Sequence, residues 1–183
     1  AHIERYLGKI ASISLDLDAA KQHMEQGLHY AEEQNQPYSR IVSLLNLSAI
    51  SNQFGRHEEC KKQLQQASHL TQRYHDVSIE ASYQGNYGNL QHALGNWSQS
   101  VERWQQAINM ILPQRFPADY FHAIGRILWQ SGRYEKAKEY LEQVDSTKPN
   151  SLYRAGTYWH NIWLIDFANL YVAWQRPEQA LFY

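Results

Sequence analysis

The sequence predicts an all-α protein built as a solenoid of antiparallel helix pairs. The first observation is a small residue that recurs along the chain, each time in the middle of a predicted helix. Another small residue follows it twelve positions later. The second observation is a glycine between the two small residues in three of the copies. Such a period is typical of repeat proteins, in which each unit contacts only its neighbours. The pairs are Gly8 and Ala20, Ser48 and Cys60, Gly88 and Ser100, Gly125 and Ala137, and Ala168 and Ala180.

The small residues mark the places where two helices approach each other closely. Ridges and grooves mesh at a short distance between helix axes only where a side chain is nearly absent. The turns between the helices are marked by Gly55-Arg56, Gly95-Asn96 and Gly132-Arg133. Glycine is preferred just after a helix because it adopts left-handed backbone angles without strain. Each unit is therefore predicted to be a helix–turn–helix hairpin that buries its apolar face against its neighbours.

Five copies of the unit can be placed along the chain. The third and fourth copies carry the pattern most completely, and the second carries it fairly well. The first copy lacks the turn glycine, and the fifth ends within its second helix. The predicted copies are 1–40, 41–80, 81–117, 118–160 and 161–183, the last of them incomplete.

The copies are longer than the commonest helical repeat. They begin at intervals of 40, 40, 37 and 43 residues, whereas the best-known helix-pair repeat has about 34. The extra residues fall after the second helix, in stretches that contain Pro37, Pro113 and Pro117. Because proline cannot continue a helix interior, we predict long second helices that end at a proline.

The pattern resembles the tetratricopeptide repeat (TPR) family over essentially the whole chain. The resemblance implies a right-handed superhelix whose first helices line a concave face, and it implies binding of a protein or peptide. The long repeats are also similar to those of large bacterial signal-transduction proteins, such as the regulatory solenoid of the maltose-regulon transcription activator. The clearest matching residues are Tyr87-Gly88, Gly95-Asn96-Trp97, Ser100, Trp104 and Ala107, and then Ile124-Gly125, Gly132-Arg133-Tyr134, Ala137 and Leu141.

Composition limits the classes of partner. The chain has 183 residues, which suits a single domain, and a net charge of −1. A nucleic-acid surface normally shows a clustered basic excess, so we predict no direct nucleic-acid partner. No run of 18 apolar residues occurs, so no membrane span is predicted. Cys60 is the only cysteine, which gives no disulfide framework and is compatible with the cytoplasm, where we place the protein.

The two ends of the sequence favour a fragment of a longer protein. The chain begins without Met and stops at Tyr183, midway through a predicted helix. Solenoids need a polar cap at each end. Most aromatic residues of the last copy are predicted to lie in the core, because they recur every three or four residues. We expect some to be exposed, which makes the C-terminal edge a surface for pairing with a second copy. The residues concerned are Trp163, Tyr171, Trp174 and Phe182.

Catalytic and metal-binding motifs are absent from the sequence. No His-Glu-x-x-His, Gly-x-Gly-x-x-Gly or P-loop pattern occurs. His69 and His75 are six residues apart, which does not place them on one helical face. His57 precedes two glutamates and Cys60, but it takes the turn position of the repeat and zinc sites need better-spaced ligands. We therefore predict that the chain is not an enzyme and binds no cofactor.

The predicted binding site lies on the concave face of the first helices. The resemblance directs positions 2, 5, 9 and 12 of each copy into this face. An amide can hydrogen-bond a peptide backbone, an arginine can bind a carboxylate bidentately, and an indole can serve as an anchor. An ordinary solvent-filled groove is the alternative. The candidate ligand-binding residues are Asn86, Asn89, His92, His122, Arg126, Trp129 and Asn169.

A related possibility is the clamp with which some family members hold the C-terminal carboxylate of a peptide. Arg5, Lys9, Asn46 and Asn86 fall near its positions, but the third first helix offers Ser82 and Asn86 where the clamp needs basic groups. The clamp is incomplete. The sequence thus predicts a protein- or peptide-binding regulatory module of a larger bacterial protein. The alternative is a small-molecule sensor that controls an attached output domain, such as a transcription activator or a signalling ATPase.

Overall fold

Nine helices and no strand are found in the residues that the structure describes. The structure, a computed structural model, describes Glu4, Leu7, Gly8 and residues 16–112, 118–144 and 158–181, with side chains from His160 onward in the last range. The all-α prediction is confirmed for these residues. The helices are α1 (Leu17–Glu33), α2 (Pro37–Gln53), α3 (His57–Tyr74), α4 (Val77–Ala93), α5 (Trp97–Ile111), α6 (Ala118–Gln130), α7 (Tyr134–Glu142), α8 (Tyr158–Ala173) and α9 (Pro177–Ala180).

The chain divides into two compact units, Ala1–Asn96 and Trp97–Tyr183. In unit 1, α2 packs against α1, α3 and α4, and α3 also packs against α4. In unit 2, α6 packs against α5, α7 and α8, while α8 also packs against α7 and α9. Each unit therefore repeats one scheme, in which a helix contacts the next helix in sequence and the first helices of successive hairpins also touch.

The predicted close approach at the small residues is confirmed where its geometry is described. A Cβ atom built on Gly125 would lie 2.6 Å from Leu141 Cγ and 3.3 Å from the carbonyl oxygen of Ala137. A Cβ atom on Gly8 would lie 3.2 Å from the carbonyl oxygen of Ala20. In both cases the nearest backbone belongs to the residue twelve positions later, as the repeat pattern predicts.

The turns inside the hairpins share one backbone geometry. Gly55, Gly95 and Gly132 have φ angles of 70°, 77° and 78°. The following residue closes each turn; for example, Arg133 N–H donates to Leu128 O at 2.9 Å. Gln175 takes the same position in the last hairpin with a φ of 60°, and Arg176 N–H donates to Tyr171 O at 2.8 Å. The hairpin turn therefore forms there without glycine.

The predicted role of proline is wrong at Pro37. This residue does not end α1, which stops at Glu33, but is the first residue of α2. The first helical position suits proline because the N–H that proline lacks has no partner there. Both α2, which begins at Pro37, and α4, which begins at Val77, start ahead of the predicted copy boundaries at 41 and 81. Pro113 and Pro117 lie outside the described residues.

The aromatic residues of α8 pack more closely than the sequence suggests. Tyr171 is 4% exposed, and Trp163 Nε1 donates to the carbonyl oxygen of Leu141 at 2.9 Å. The half-buried Trp174 stacks on Tyr171 and on Tyr134, with ring centroids 6.1 and 6.0 Å apart. The most exposed large apolar residues of α8 are instead Ile165 and Val172. Phe182 lies outside the described residues.

Candidate functional site

The predicted site residues are distributed over the first helices of both units. Each unit presents its own part of the predicted surface, α4 beside α2 in unit 1 and α8 beside α6 in unit 2. The seven-residue site stays a prediction, and its two parts are described separately below. Asn86, Asn89 and His92 lie on α4, His122, Arg126 and Trp129 lie on α6, and Asn169 lies on α8.

In unit 1, asparagine amides join α2 to α4. Asn86 Nδ2 donates to the carbonyl oxygen of Leu45 at 2.8 Å and lies 3.4 Å from Ser48 Oγ. Asn52 Nδ2 donates to the carbonyl oxygen of Asn89 at 3.3 Å. An amide that satisfies a helix carbonyl in this way holds two helices together. Asn86 therefore contributes to packing, whatever its role toward a ligand.

The remaining unit 1 candidates are only partly accessible. The side chains of Asn89 and His92 are half-buried. Asn46, near a clamp position, has a buried Nδ2 atom with no acceptor among the described residues. Arg5 and Lys9, the basic residues of the predicted clamp, lie outside those residues.

In unit 2, His122 is buried and bonded to a carboxylate. Its Nε2 atom lies 2.7 Å from Asp166 Oδ2, and the two residues are 4% and 6% exposed. The bond joins α6 to α8 across 44 residues of sequence. His122 thus lies inside a helix contact and not on the surface of the groove. Sequence reasoning missed Asp166, although it holds the same position within its copy as Asn86 does in the third.

The other candidates of unit 2 face solvent more openly. Arg126 is exposed and forms no ion pair with a described residue. Trp129 is half-buried, and its indole N–H has no acceptor among the described residues. Asn169 is exposed on α8. Arg126 and Asn169 each lie about one turn beyond the bonded His122 and Asp166 along their own helices.

The shifted pKa values lie away from this surface. Burial raises the pKa of the Cys60 thiol to about 11. The pKa of Tyr140 is also raised, first by burial and then by the nearby carboxylate of Glu139. Tyr140 donates its hydroxyl to Gln105 Oε1 at 2.6 Å, which joins α7 to α5. Both groups serve packing between helices.

An open cavity of about 470 Å³ lies between α7 and the end of α8. Small-molecule sites are usually enclosed and mostly apolar, whereas four of the seven residues around this cavity are charged. The described part of the chain contains no group of three or more His, Cys, Asp or Glu residues placed to hold a metal ion. None of its helices is both long and apolar enough to cross a membrane. The cavity is lined by Glu135, Lys138, Glu139, Tyr171, Trp174, Arg176 and Gln179.

Comparison with known proteins identifies the repeat. The tetratricopeptide repeat family model matches residues 80–144. None of the curated proteins compared with the chain matches it significantly.

Solved structures extend the likeness to nearly the whole chain. BtubC from P. vanneervenii superposes with a TM-score of 0.70 at 13% identity, over 97% of this chain and 74% of that protein. A Podosopora anserina protein assigned as a kinesin light chain, with nearly identical TPR-like repeats, gives 0.66 at 18% identity, over 98% and 89%.

A Rap protein in complex with competence and sporulation factor gives a TM-score of 0.71 at 15% identity, over 99% of this chain. The chain spans 61% of the length of that Rap protein. At these identities the comparisons show the fold. The chain therefore matches the tetratricopeptide repeat model at residues 80–144 and has the all-α fold of a TPR-like helical repeat protein.

Proposed function

We propose that the chain is a protein-binding module that holds an extended segment of its partner on the first helices. Repeat folds of this class offer extended surfaces to partners. The Rap protein of similar fold was solved in complex with a factor. For this chain, the proposal is carried by one observation: Arg126, beside Trp129 on α6, is exposed and forms no ion pair with a residue that the structure describes.

The chemistry of this surface suits a peptide segment that carries a carboxylate. A guanidinium without a carboxylate partner can form a bidentate pair with an aspartate, a glutamate or a chain terminus. The half-buried ring of Trp129 offers an apolar wall one turn further along α6. Asn169, on the neighbouring α8, can donate to and accept from a peptide backbone. The three groups therefore provide charge, apolar contact and backbone recognition.

The buried bond between His122 and Asp166 holds together the two helices that carry the proposed site. It is buried and joins α6 to α8 directly at 2.7 Å. Because a bonded pair fixes the register of the two helices, Arg126 and Asn169 keep their relative positions in the absence of a ligand. A surface that is already organised loses less conformational entropy on binding.

The test is a selection from random peptides displayed on phage, followed by affinity measurements on the selected peptides. We expect the selected peptides to be enriched in Asp and Glu. Arg126→Ala should weaken their binding by about tenfold or more, the usual size of a charge-assisted contact. The matched control is Arg73→Ala, which removes an exposed arginine from the second helix α3.

The control should leave the dissociation constant unchanged. The proposal fails if no peptide is selected above background. It also fails if Arg73→Ala weakens binding as much as Arg126→Ala does, since the contact would then be general attraction to positive charge.

A further inference from the structure

The open cavity beside α7 is lined by acidic groups from one element and a basic group from another. Glu135 and Glu139 belong to α7, and Arg176 belongs to the turn between α8 and α9. We call this space the α7 cavity. Lys138 also lines it, but its ammonium lies 2.8 Å from Glu142. Glu135, Glu139 and Arg176 form no ion pair with one another or with any other described residue.

The two carboxylates of the α7 cavity repel each other. Glu135 and Glu139 are four residues apart, about one turn of α7, and like charges at this spacing destabilise a helix. A cation bound between them would lower the repulsion. Both side chains are exposed, so a cationic group can reach them from solvent.

The guanidinium of Arg176 is held by an aromatic stack. Its Cζ atom lies 4.0 Å from the centroid of the Trp174 ring. Trp174 in turn stacks on Tyr171 and Tyr134, with ring centroids 6.1 and 6.0 Å apart. A guanidinium over an aromatic face keeps N–H groups at its edge, where they can bind a carboxylate bidentately. Arg176 is therefore positioned to receive an acidic group.

We propose that the α7 cavity is a docking site for a segment of a second partner protein that carries a basic side chain close to an acidic one. The basic group binds the carboxylates of Glu135 and Glu139, and its aliphatic stem packs on the ring of Trp174. The acidic group binds Arg176. Charge complementarity of both signs favours this mixed segment over a purely acidic or purely basic one.

The size and openness of the α7 cavity agree with this occupant. Its volume of about 470 Å³ falls within the roughly 300–1,000 Å³ of ligand sites, and its charged lining suits the side chains of a protein better than an apolar small molecule. The cavity involves none of the proposed peptide-binding residues, since Arg126 and Trp129 lie on α6. The inference therefore goes beyond the proposed function and does not depend on it.

The test is a selection of random peptides on the whole chain with Arg126→Ala, in which the proposed contact on α6 is absent. We expect the selected peptides to carry Lys or Arg within a few residues of Asp or Glu. They should bind the parent chain with the same dissociation constant, because Arg126 plays no part at this site.

Two substitutions with matched controls locate the contact. Glu135→Gln and Arg176→Gln should each raise the dissociation constant of the selected peptides by about tenfold or more, the usual size of a charge-assisted contact. Glu58→Gln is the control for the first, because Glu58 is exposed and holds the same second position in α3. Arg73→Gln, at an exposed arginine of α3, is the control for the second. Neither control should change binding.

The indole N–H resonance of Trp174 reports occupancy of the cavity directly. This resonance is assigned with Trp174→Phe, and it should shift in an NMR titration with a selected peptide, whereas the resonance of Trp129 should not.

Three results would overturn the inference. The first is a selection that yields no peptide, or only peptides without a basic residue. The second is equal binding by the parent and Glu135→Gln, which would show that the carboxylates are not used. The third is a shift of Trp129 in place of Trp174, which would place the peptide on the first helices. Failure of the proposed contact at Arg126 alters none of these measurements, because the selection is made without it.

Discussion

At the scale of single residues, the helix contacts depend on positions where glycine has no side chain. Gly125 lets α6 approach α7 until its Cα hydrogen faces Leu141, and any Cβ atom there would lie 2.6 Å from Leu141 Cγ. Leu141 is fully buried and cannot move into solvent. The carbonyl oxygen of Ala137, at 3.3 Å, belongs to the backbone of α7 and also cannot yield. Gly125 is therefore required by packing, and not by its backbone angles.

Gly125→Leu should accordingly destabilise the protein. Overpacking of a tight helix contact typically costs about 1–3 kcal/mol, and the free energy of unfolding should fall by at least that amount in a urea titration. Arg126→Leu adds a leucine at the next position, which is exposed, and should change stability by no more than about 0.5 kcal/mol. If Gly125→Leu and the parent have equal free energies of unfolding in the urea titration, the small-residue pattern does not mark a helix contact.

The residue scale also shows where sequence reasoning stops. Glycine predicted the turns at Gly55, Gly95 and Gly132, because a left-handed residue is most easily supplied by glycine. The same turn at Gln175 carried no such signal. A non-glycine residue can adopt this conformation at a cost of roughly 1–2 kcal/mol, and the packing of α8 and α9 has to offset that cost. The sequence near Gln175 does not show this packing, so the turn there is visible only in the structure.

At the scale of helices, polar bonds repeat in one register. The bond from Asn86 to the carbonyl oxygen of Leu45 joins α4 to α2, and the bond between His122 and Asp166 joins α8 to α6. In both pairs the later residue holds the sixth position of its copy and the earlier residue the fifth. Successive first helices within a unit thus share a polar contact in the same register, made with different chemistry in the two units.

We expect Asp166→Ala to be strongly destabilising. The substitution leaves the His122 ring buried without this acceptor, and removal of one partner of a buried hydrogen bond typically costs about 1–3 kcal/mol. Urea unfolding followed by circular dichroism measures the loss. The control is Lys138→Ala, which removes a half-exposed ion pair to Glu142 and should cost about 0–1 kcal/mol. If the two variants lose similar amounts of unfolding free energy, the buried bond stabilises the contact of α6 with α8 no more than an exposed ion pair would.

The helices themselves were largely predictable, and their side-chain partners were not. The spacing of Gly125 and Ala137 placed α6 and α7 correctly, because helix pairing follows from local periodicity. The role of His122 depends on which residue of α8 lies opposite it, and that residue is 44 positions away. The sequence pattern alone therefore places His122 in the groove, whereas the structure shows it in a buried bond. Arg126 and Asn169 stay exposed as expected, because nothing in the described residues covers them.

At the scale of the whole molecule, two compact units carry different natural probes. All six tryptophans lie at or after Trp97, within unit 2. The only cysteine, Cys60, lies in unit 1, in a buried cluster with Leu44, Leu64 and Ile79. Its pKa is raised to about 11 by burial, and the thiolate is the reactive form. Cys60 should therefore react with a thiol reagent at neutral pH only after unit 1 opens.

These probes test the prediction that the chain is one solenoid. The tetratricopeptide match at residues 80–144 runs through the division between the units at Asn96. In a solenoid, the stability of each repeat depends on its neighbours. We therefore expect the tryptophan fluorescence and the reactivity of Cys60 to change at the same urea concentration. Gly125→Leu, which acts in unit 2, should lower both midpoints together, whereas Arg126→Leu should move neither. If Cys60 keeps its protection while the fluorescence transition moves to lower urea, the units unfold independently and the chain consists of two domains.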